Sequence, residues 1–370
     1  MKHILFIFLF VTLNFSDYSR NNSLLNEYKK GRLKTKLIYS IGGNTNNPDD
    51  MLIWPNSIGV DQEENLFILD SKESVIKKYN KNGKFIGRFG RKGRGPGEFL
   101  SSNKLGIAPN GNIYIYDTMS FQFCVFDNNG KFIKNIKFND IVWKMRFSKS
   151  GIYIETQRII RKGKIGTNNV AVMLYNYDLK KKKTIVKYKL KSWVYGKVGK
   201  SKMALHLPFK DNVYWDITNS SDLIVAYTNG YKIEVYSPEG KLKRTFFHKA
   251  RKRKISEREK EKIRNNYLNE QGNSSAVRNF INSNLKFPVY APYFKMMHID
   301  EYDNLLLTTY NKMQNDYLID VFNKEGNFIN RIKIKADVLT ENSIFKYGNI
   351  YSNYGDSNTF GEVRKYRIID

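Results

Sequence analysis

The residues best suited to chemistry in this chain are few and dispersed. Its four histidines are His3, His206, His248 and His298, and its single cysteine is Cys124. They form no H-E-x-x-H pair, no close histidine pair and no Cys–His cluster, so no metal or cofactor site is expected from their spacing. His298 belongs to MHIDEYDN, which aligns with IGVDQEEN and sets Asp300 against Asp61. An aspartate at a strand end before a hairpin ordinarily accepts hydrogen bonds from its own turn, and we expect this of both. The alternative is a carboxylate site that His298 joins from the wall of a central channel. Asp70 and Asp117 read as loop caps rather than metal ligands, because an ion needs several converging oxygens. GRKGRGPGEF, at 90–99, is rich in glycine but lacks the strand-to-helix context and the Lys-Ser/Thr ending of a phosphate loop. No catalytic residue is assigned.

The elements that would position these residues are written as a repeat. YNKNGKFI at 79–86 returns as FDNNGKFI at 126–133, and NLFILD at 65–70 returns as NIYIYD at 112–117, each 47 residues later. YSPEGKLK at 236–243 and FNKEGNFI at 322–329 carry the same turn. Asn110-Gly111 and Asn129-Gly130 are hairpin signals, and the flanking segments alternate apolar and polar residues as half-buried strands do. A unit of roughly 40 to 50 residues holding four short strands is one blade of a β-propeller, stable only when stacked on its neighbours. Six blades are expected, near 55–90, 103–138, 141–190, 208–247, 291–334 and 338–370. The third is degenerate, with lysine replacing the turn glycine. The last is short of a strand, and KLIYSIGG at 36–43 resembles KFIGRFGR at 84–91, so residues 36–42 should supply its outer strand beside 360–369 and remove the open edges.

GRFGRKGRGPGEFLSS at 87–102, followed by LGIAPNGNIYIYD, resembles the NHL repeat, and the chain is similar to six-bladed NHL-type propellers of exported bacterial proteins. The resemblance implies an all-β, six-bladed fold. It constrains function little, since such propellers include RNA-binding modules, sensors, scaffolds and lyases. It also implies that blade-to-blade crossovers and the loops between second and third strands share one face. Lys72, Arg91, Lys92, Arg94, Thr118, Tyr310 and Lys312 should then lie around one rim.

Composition supplies the setting. Lys2 and His3 precede an apolar run from Ile4 to Leu13, too short to span a bilayer and suited to a secretory signal over 1–16. Asn14 and Ser16 make a poor small-x-small cleavage pair, which leaves an uncleaved anchor as the alternative. Residues 17–35 read as a linker and 36–370 as the propeller. One cysteine permits no disulfide within the chain, and Cys124, between Phe123 and Val125, should be buried and unreactive. The formal charge is +28. Lysine outnumbers arginine and is spread over every blade, unlike the localised arginines and aromatics of specific nucleic-acid readers. Segment 249–285 breaks the strand pattern: Ser256 and Glu259 form a capping box, and Val277, Phe280, Ile281 and Leu285 make an apolar stripe on a second helix. It reads as a helical insertion between blades four and five, a solvated excursion with its stripe lying on the propeller flank; the alternative is a lid or partner-docking arm.

The reading is a monomeric, exported, non-enzymatic propeller that binds a protein or an anionic glycan at the cell envelope or exterior. The alternatives are a propeller enzyme of lyase or lactone-hydrolase type with a channel-mouth site, and a nucleic-acid-binding module.

Overall fold

The repeated tight turn builds each sheet. The computed structural model describes residues 19–43, 45–272, 274–313, 315–355 and 360–369; the segment 1–16, read above as a secretory signal, lies outside them. Asn80 Oδ1 accepts from the amides of Asn82 and Lys84, and Asp127 Oδ1 from those of Asn129 and Lys131. Gly83 and Gly130 complete these turns at φ 80° and 83°, where a side chain would be strained. In the third unit the glycine's place is taken by Leu179, not by lysine, at φ 59°. Leu179 is buried in the core between the second and third sheets, and that packing holds a backbone conformation that leucine rarely adopts.

Six sheets radiate from a common axis. Blade 1 comprises Pro55–Val60, Leu66–Asp70, Val75–Tyr79 and Phe85–Phe89. Blade 2 comprises Ser102–Ile107, Ile113–Asp117, Gln122–Phe126 and Phe132–Lys137. Blade 4 runs from Val213–Ile217 to Leu242–Phe247, and blade 5 from Phe294–Ile299 to Phe328–Lys335. Blade 6 takes Ile344–Lys346, Asn349–Tyr354 and Glu362–Ile369 from the C-terminal end of the chain and Lys34–Gly42 from the N-terminal side. The closing ladder runs antiparallel from Lys34↔Ile369 to Gly42↔Glu362. Crossovers and the loops between second and third strands occupy one face, the crossover face; the remaining turns occupy the other, the turn face.

Three features depart from the sequence reading. The segment read as a linker is helical over 19–29 (α1), and Leu24, Tyr28 and Leu33 are buried with Leu306, Ile319, Ile332 and Ile350 of blades 5 and 6. The i, i+4 spacing of Leu24 and Tyr28 gives this short helix the apolar face that docks it. Blade 3 extends past 190 to five strands, Val142–Ser148, Gly151–Lys162, Ile165–Tyr175, Lys181–Val198 and Ser201–His206, and its long hairpins rise beyond the crossover face. The insertion forms α2 (Glu257–Gln271) and α3 (Ser275–Asn284), with the capping box on Ser256 and Glu259. Its stripe packs not on the flank but against this extension, where Val277, Phe280, Ile281 and Leu285 cluster with Leu205.

One aspartate in each of the first two blades ties that blade to the chain entering it. The Asp70 carboxylate accepts from the amides of Ile53, Trp54 and Lys72 at 2.7 to 3.1 Å. Asp117 accepts from Leu100, Ser101 and Met119 amides and from the Ser120 hydroxyl. Each fully buried carboxylate thereby joins the crossover to the loop between second and third strands. Cys124 is fully buried in the middle of blade 2, its Sγ 3.4 Å from the Glu98 carbonyl oxygen, and burial pushes its thiol up to about 12.

Three outcomes follow. Ile41, 2% exposed in the closing strand, packs with Leu52, Ile58, Tyr351 and Val363, whereas Leu37 in the same strand is 50% exposed. Thermal or urea unfolding should show Ile41→Ala costing about 3 kcal/mol and Leu37→Ala under about 0.5 kcal/mol; equal effects would mean that the strand does not close the core. Asp117→Ala should cost roughly 3 kcal/mol by stranding buried amides, and a neutral result would remove the clamp. A thiol reagent should modify native Cys124 no faster than the protein opens, because the thiol is fully buried and its thiolate is a minor species at neutral pH; rapid labelling of the folded protein would contradict this.

Candidate functional site

The inner strands enclose a channel of about 450 Å³ that opens toward the turn face. Its charged wall lies between blades 3 and 4. Arg146 Nε is 2.8 Å from Asp216 Oδ1, and the Lys144 ammonium donates to the Trp215 carbonyl oxygen while lying 3.4 Å from Asp216 Oδ2. Burial alone would raise the Asp216 carboxyl, but the Arg146 and Lys144 charges outweigh it and hold the group far below the usual carboxylate range. Burial brings the Lys144 ammonium down to about 8, against the pull of Asp216. Glu155 accepts from Trp215 Nε1 and, at 2.6 Å, from Gln157 Nε2, completing a network that spans the two blades.

His298 belongs to an inner strand and lines the channel wall, while the Asp61 and Asp300 carboxylates are engaged by their own turns. The Asp61 carboxylate accepts from the Glu63 and Asn65 amides and from Asn65 Nδ2 at 2.8 to 2.9 Å. Asp300 accepts from the Tyr302 and Asn304 amides and Asn304 Nδ2, and also from the Tyr28 hydroxyl at 3.0 Å, which fastens α1 to blade 5. Burial pushes the Asp300 carboxyl up to about 6 despite these donors. His298 Nε2 lies 2.8 Å from the Thr340 carbonyl oxygen, and burial lowers the imidazole to about 4, so it is neutral at pH 7 with Nε2 as the donor. No group of three or more His, Cys, Asp or Glu side chains capable of holding a metal occurs among the described residues.

The rim candidates share the crossover face but fall into two arcs. Lys72, Arg91, Lys92, Arg94 and Thr118 belong to blades 1 and 2; Tyr310 and Lys312 belong to a strand of blade 5, Leu305–Met313. Lys72, Lys92 and Arg94 are exposed. Arg91 Nε bonds Glu98 Oε1 at 2.6 Å, and Glu98 Oε2 accepts from the Gly95 amide, so the glycine-rich crossover is shaped by one glutamate. The Thr118 hydroxyl is committed to the Ser101 carbonyl oxygen at 2.7 Å. The Tyr310 ring lies 5.5 Å from that of Phe209.

Phe209 borders the feature that the sequence did not reveal, a cavity of about 840 Å³ at the foot of the blade 3 extension. Blades 3 and 4 and the return from the insertion, 286–292, form its walls. Lys189, Lys191, Lys210, Lys232, Lys252 and Lys286 line it, against the single acid Asp211. The Lys210 ammonium donates to the Ser192 hydroxyl at 2.7 Å, and burial lowers it to about 8. The available signal was alternation of lysine with apolar residues in YKLKSW, continued past the end of an ordinary blade strand.

No curated protein sequence matches the chain. Among solved structures, a Bacteroides fragilis protein named for its inferred export aligns over 91% of this chain and 96% of its own, at 11% identity and TM-score 0.52. A DUF4221 family member from Bacteroides vulgatus aligns over 92% and 99%, at 11% identity and TM-score 0.50. At these identities the likeness is one of fold. The DUF5128 family, described as a 6-bladed β-propeller, matches residues 47–280, more than half of the sequence. The chain therefore belongs to the DUF5128 family of six-bladed β-propellers.

Proposed function

We propose that this chain is an exported, non-enzymatic binding or scaffold propeller that presents its crossover face to an acidic protein or glycan at the cell envelope or exterior. The observation that carries this reading is the lysine-lined cavity on that face, where cations outnumber acids six to one. The apolar run Ile4–Leu13 behind Lys2 supports export, and no described helix is long and apolar enough to cross a membrane. The NHL-like crossover at 87–102 supports placing the chain among NHL-type propellers. One observation favours the enzymatic alternative: His298 Nδ1 is buried and has no hydrogen-bond partner. Against it, the Asp61 and Asp300 carboxylates are already occupied by their own turns. The test is capture from envelope extract with the whole protein, its Arg91→Ser/Lys92→Ser/Arg94→Ser variant and its Lys191→Gln/Lys286→Gln variant. A partner should be retained at low salt, released by salt, and lost with at least one variant, while each variant's stability changes by less than about 1 kcal/mol because the charges are exposed. If neither variant alters what is captured, the crossover face is not the binding surface.

A further inference from the structure

We propose that the cavity at the foot of the blade 3 extension binds an acidic oligosaccharide, with lysines taking its carboxylates and Tyr290 stacking on a sugar ring. This rests on the crossover face being a binding surface and adds the ligand's chemistry.

Shape is the first argument. The cavity of about 840 Å³ falls within the roughly 300 to 1,000 Å³ usual for sites that enclose a small ligand. Its three walls suit a narrow chain entering end-on or lying within it, rather than the broad surface of a folded protein.

Charge is the second. Of the six lysines only Lys232 is engaged in an ion pair among the described residues, with Glu234 at 2.8 Å. Lys210 is half-buried and its amine has a serine hydroxyl, not a carboxylate, as its partner. An anion there would supply the countercharge that the fold omits and would offset the burial that disfavours the charged ammonium. No arginine lines the cavity. Lysine ammoniums are rotatable point charges without the fixed fork that selects phosphate geometry, and they suit carboxylates set at varying angles along a sugar chain.

The third argument is the apolar platform. Tyr290 and Val289 are 51% and 58% exposed on the cavity wall. They are held in place by backbone bonds on both sides: the Ile255 amide donates to the Val289 carbonyl oxygen at 3.1 Å, and the Ala291 amide to that of Arg253 at 2.9 Å. A preorganised, solvent-facing tyrosine offers an apolar ring face and a polar tip, matching a sugar's C–H face and hydroxyls at little entropic cost.

The experiment is calorimetric titration of the whole protein with tetragalacturonate, with its methyl ester and with tetra-aspartate. Tetragalacturonate should bind, weaken with salt, and exceed the methyl ester by about tenfold or more, since charge-assisted bonds are lost on esterification. Tyr290→Ala and Lys191→Gln/Lys286→Gln should each weaken it by about tenfold, while a Lys81→Gln/Lys131→Gln variant, altered at exposed lysines of the opposite, turn face, binds as the parent does. Absence of binding, equal affinity for tetra-aspartate, indifference to Tyr290→Ala, or equal loss in the turn-face variant would each overturn the proposal. Envelope capture of a protein that depends on the cavity lysines, alongside a flat titration, would leave the binding function standing and remove the sugar.

Discussion

The antiparallel ladder between Lys34–Gly42 and Glu362–Ile369 is the contact on which the ring depends. Without it blade 6 keeps three strands, and the outer edge of Glu362–Ile369 exposes unpaired backbone groups. The ladder also carries Ile41 into the cluster of Leu52, Ile58, Val60, Tyr351 and Val363, which joins blade 6 to blade 1. Closure therefore turns a row of sheets, each stable only through its neighbours, into a cycle in which every blade has two. α1 strengthens the next junction, between blades 5 and 6, because the Tyr28 hydroxyl bonds Asp300 and its ring fills the core between those blades.

Between blades 1 and 2 and between blades 2 and 3, the inner strands meet by pairing a glycine on one blade with a large residue on the next. A Cβ on Gly59 would lie 2.6 Å from Leu105, and one on Gly106 would lie 2.0 Å from the Phe147 ring. Between blades 3 and 4 this small-against-large contact gives way to an ion pair, Arg146 with Asp216. Between blades 5 and 6 it gives way to His298, which meets the Thr340 carbonyl oxygen and the Phe345 ring. The polar residues of the channel thus occupy blade-packing positions, and their first role is to join sheets. The Arg146 side chain is 35% exposed and that of Asp216 13%, so solvent screens the pair in part, and breaking it should cost less than the roughly 3 to 5 kcal/mol of a fully buried pair.

Much of this was legible because turn chemistry is local. Asn80, Asp127 and Asn323 each cap a turn within four residues, and Asp61 and Asp300 do the same at another repeated position. Such bonds are written in consecutive residues. The lysine cavity is not: its charges come from the fourth strand of blade 3, from the crossover at 210, from blade 4, and from the start and the return of the insertion at 252 and 286, and only the ring brings these together. The extension of blade 3 was hidden for a different reason. Its fourth strand, KKKTIVKYKLKSWVYGKV, is so rich in lysine that its alternation resembles a solvated run, although Leu190, Ser192 and Val194 are all buried.

The departure from six-fold regularity is what creates the cavity. A Cβ on Gly196 would lie 2.1 Å from the Phe280 ring, so α3 reaches the extended strand closely only because that position has no side chain. With Val277, Phe280, Ile281 and Leu285 buried there, the insertion is anchored by apolar contact at one end and by the first strand of blade 5 at the other. The segment between these anchors, 286–292, carries Lys286, Val289 and Tyr290 and has little freedom to withdraw. Mutual repulsion among lysines would favour spreading this wall away from Lys189, Lys191 and Lys210; the hydrophobic seat of α3 opposes that spreading. The cationic surface is thereby held concave at the cost of stability that an anionic ligand would restore.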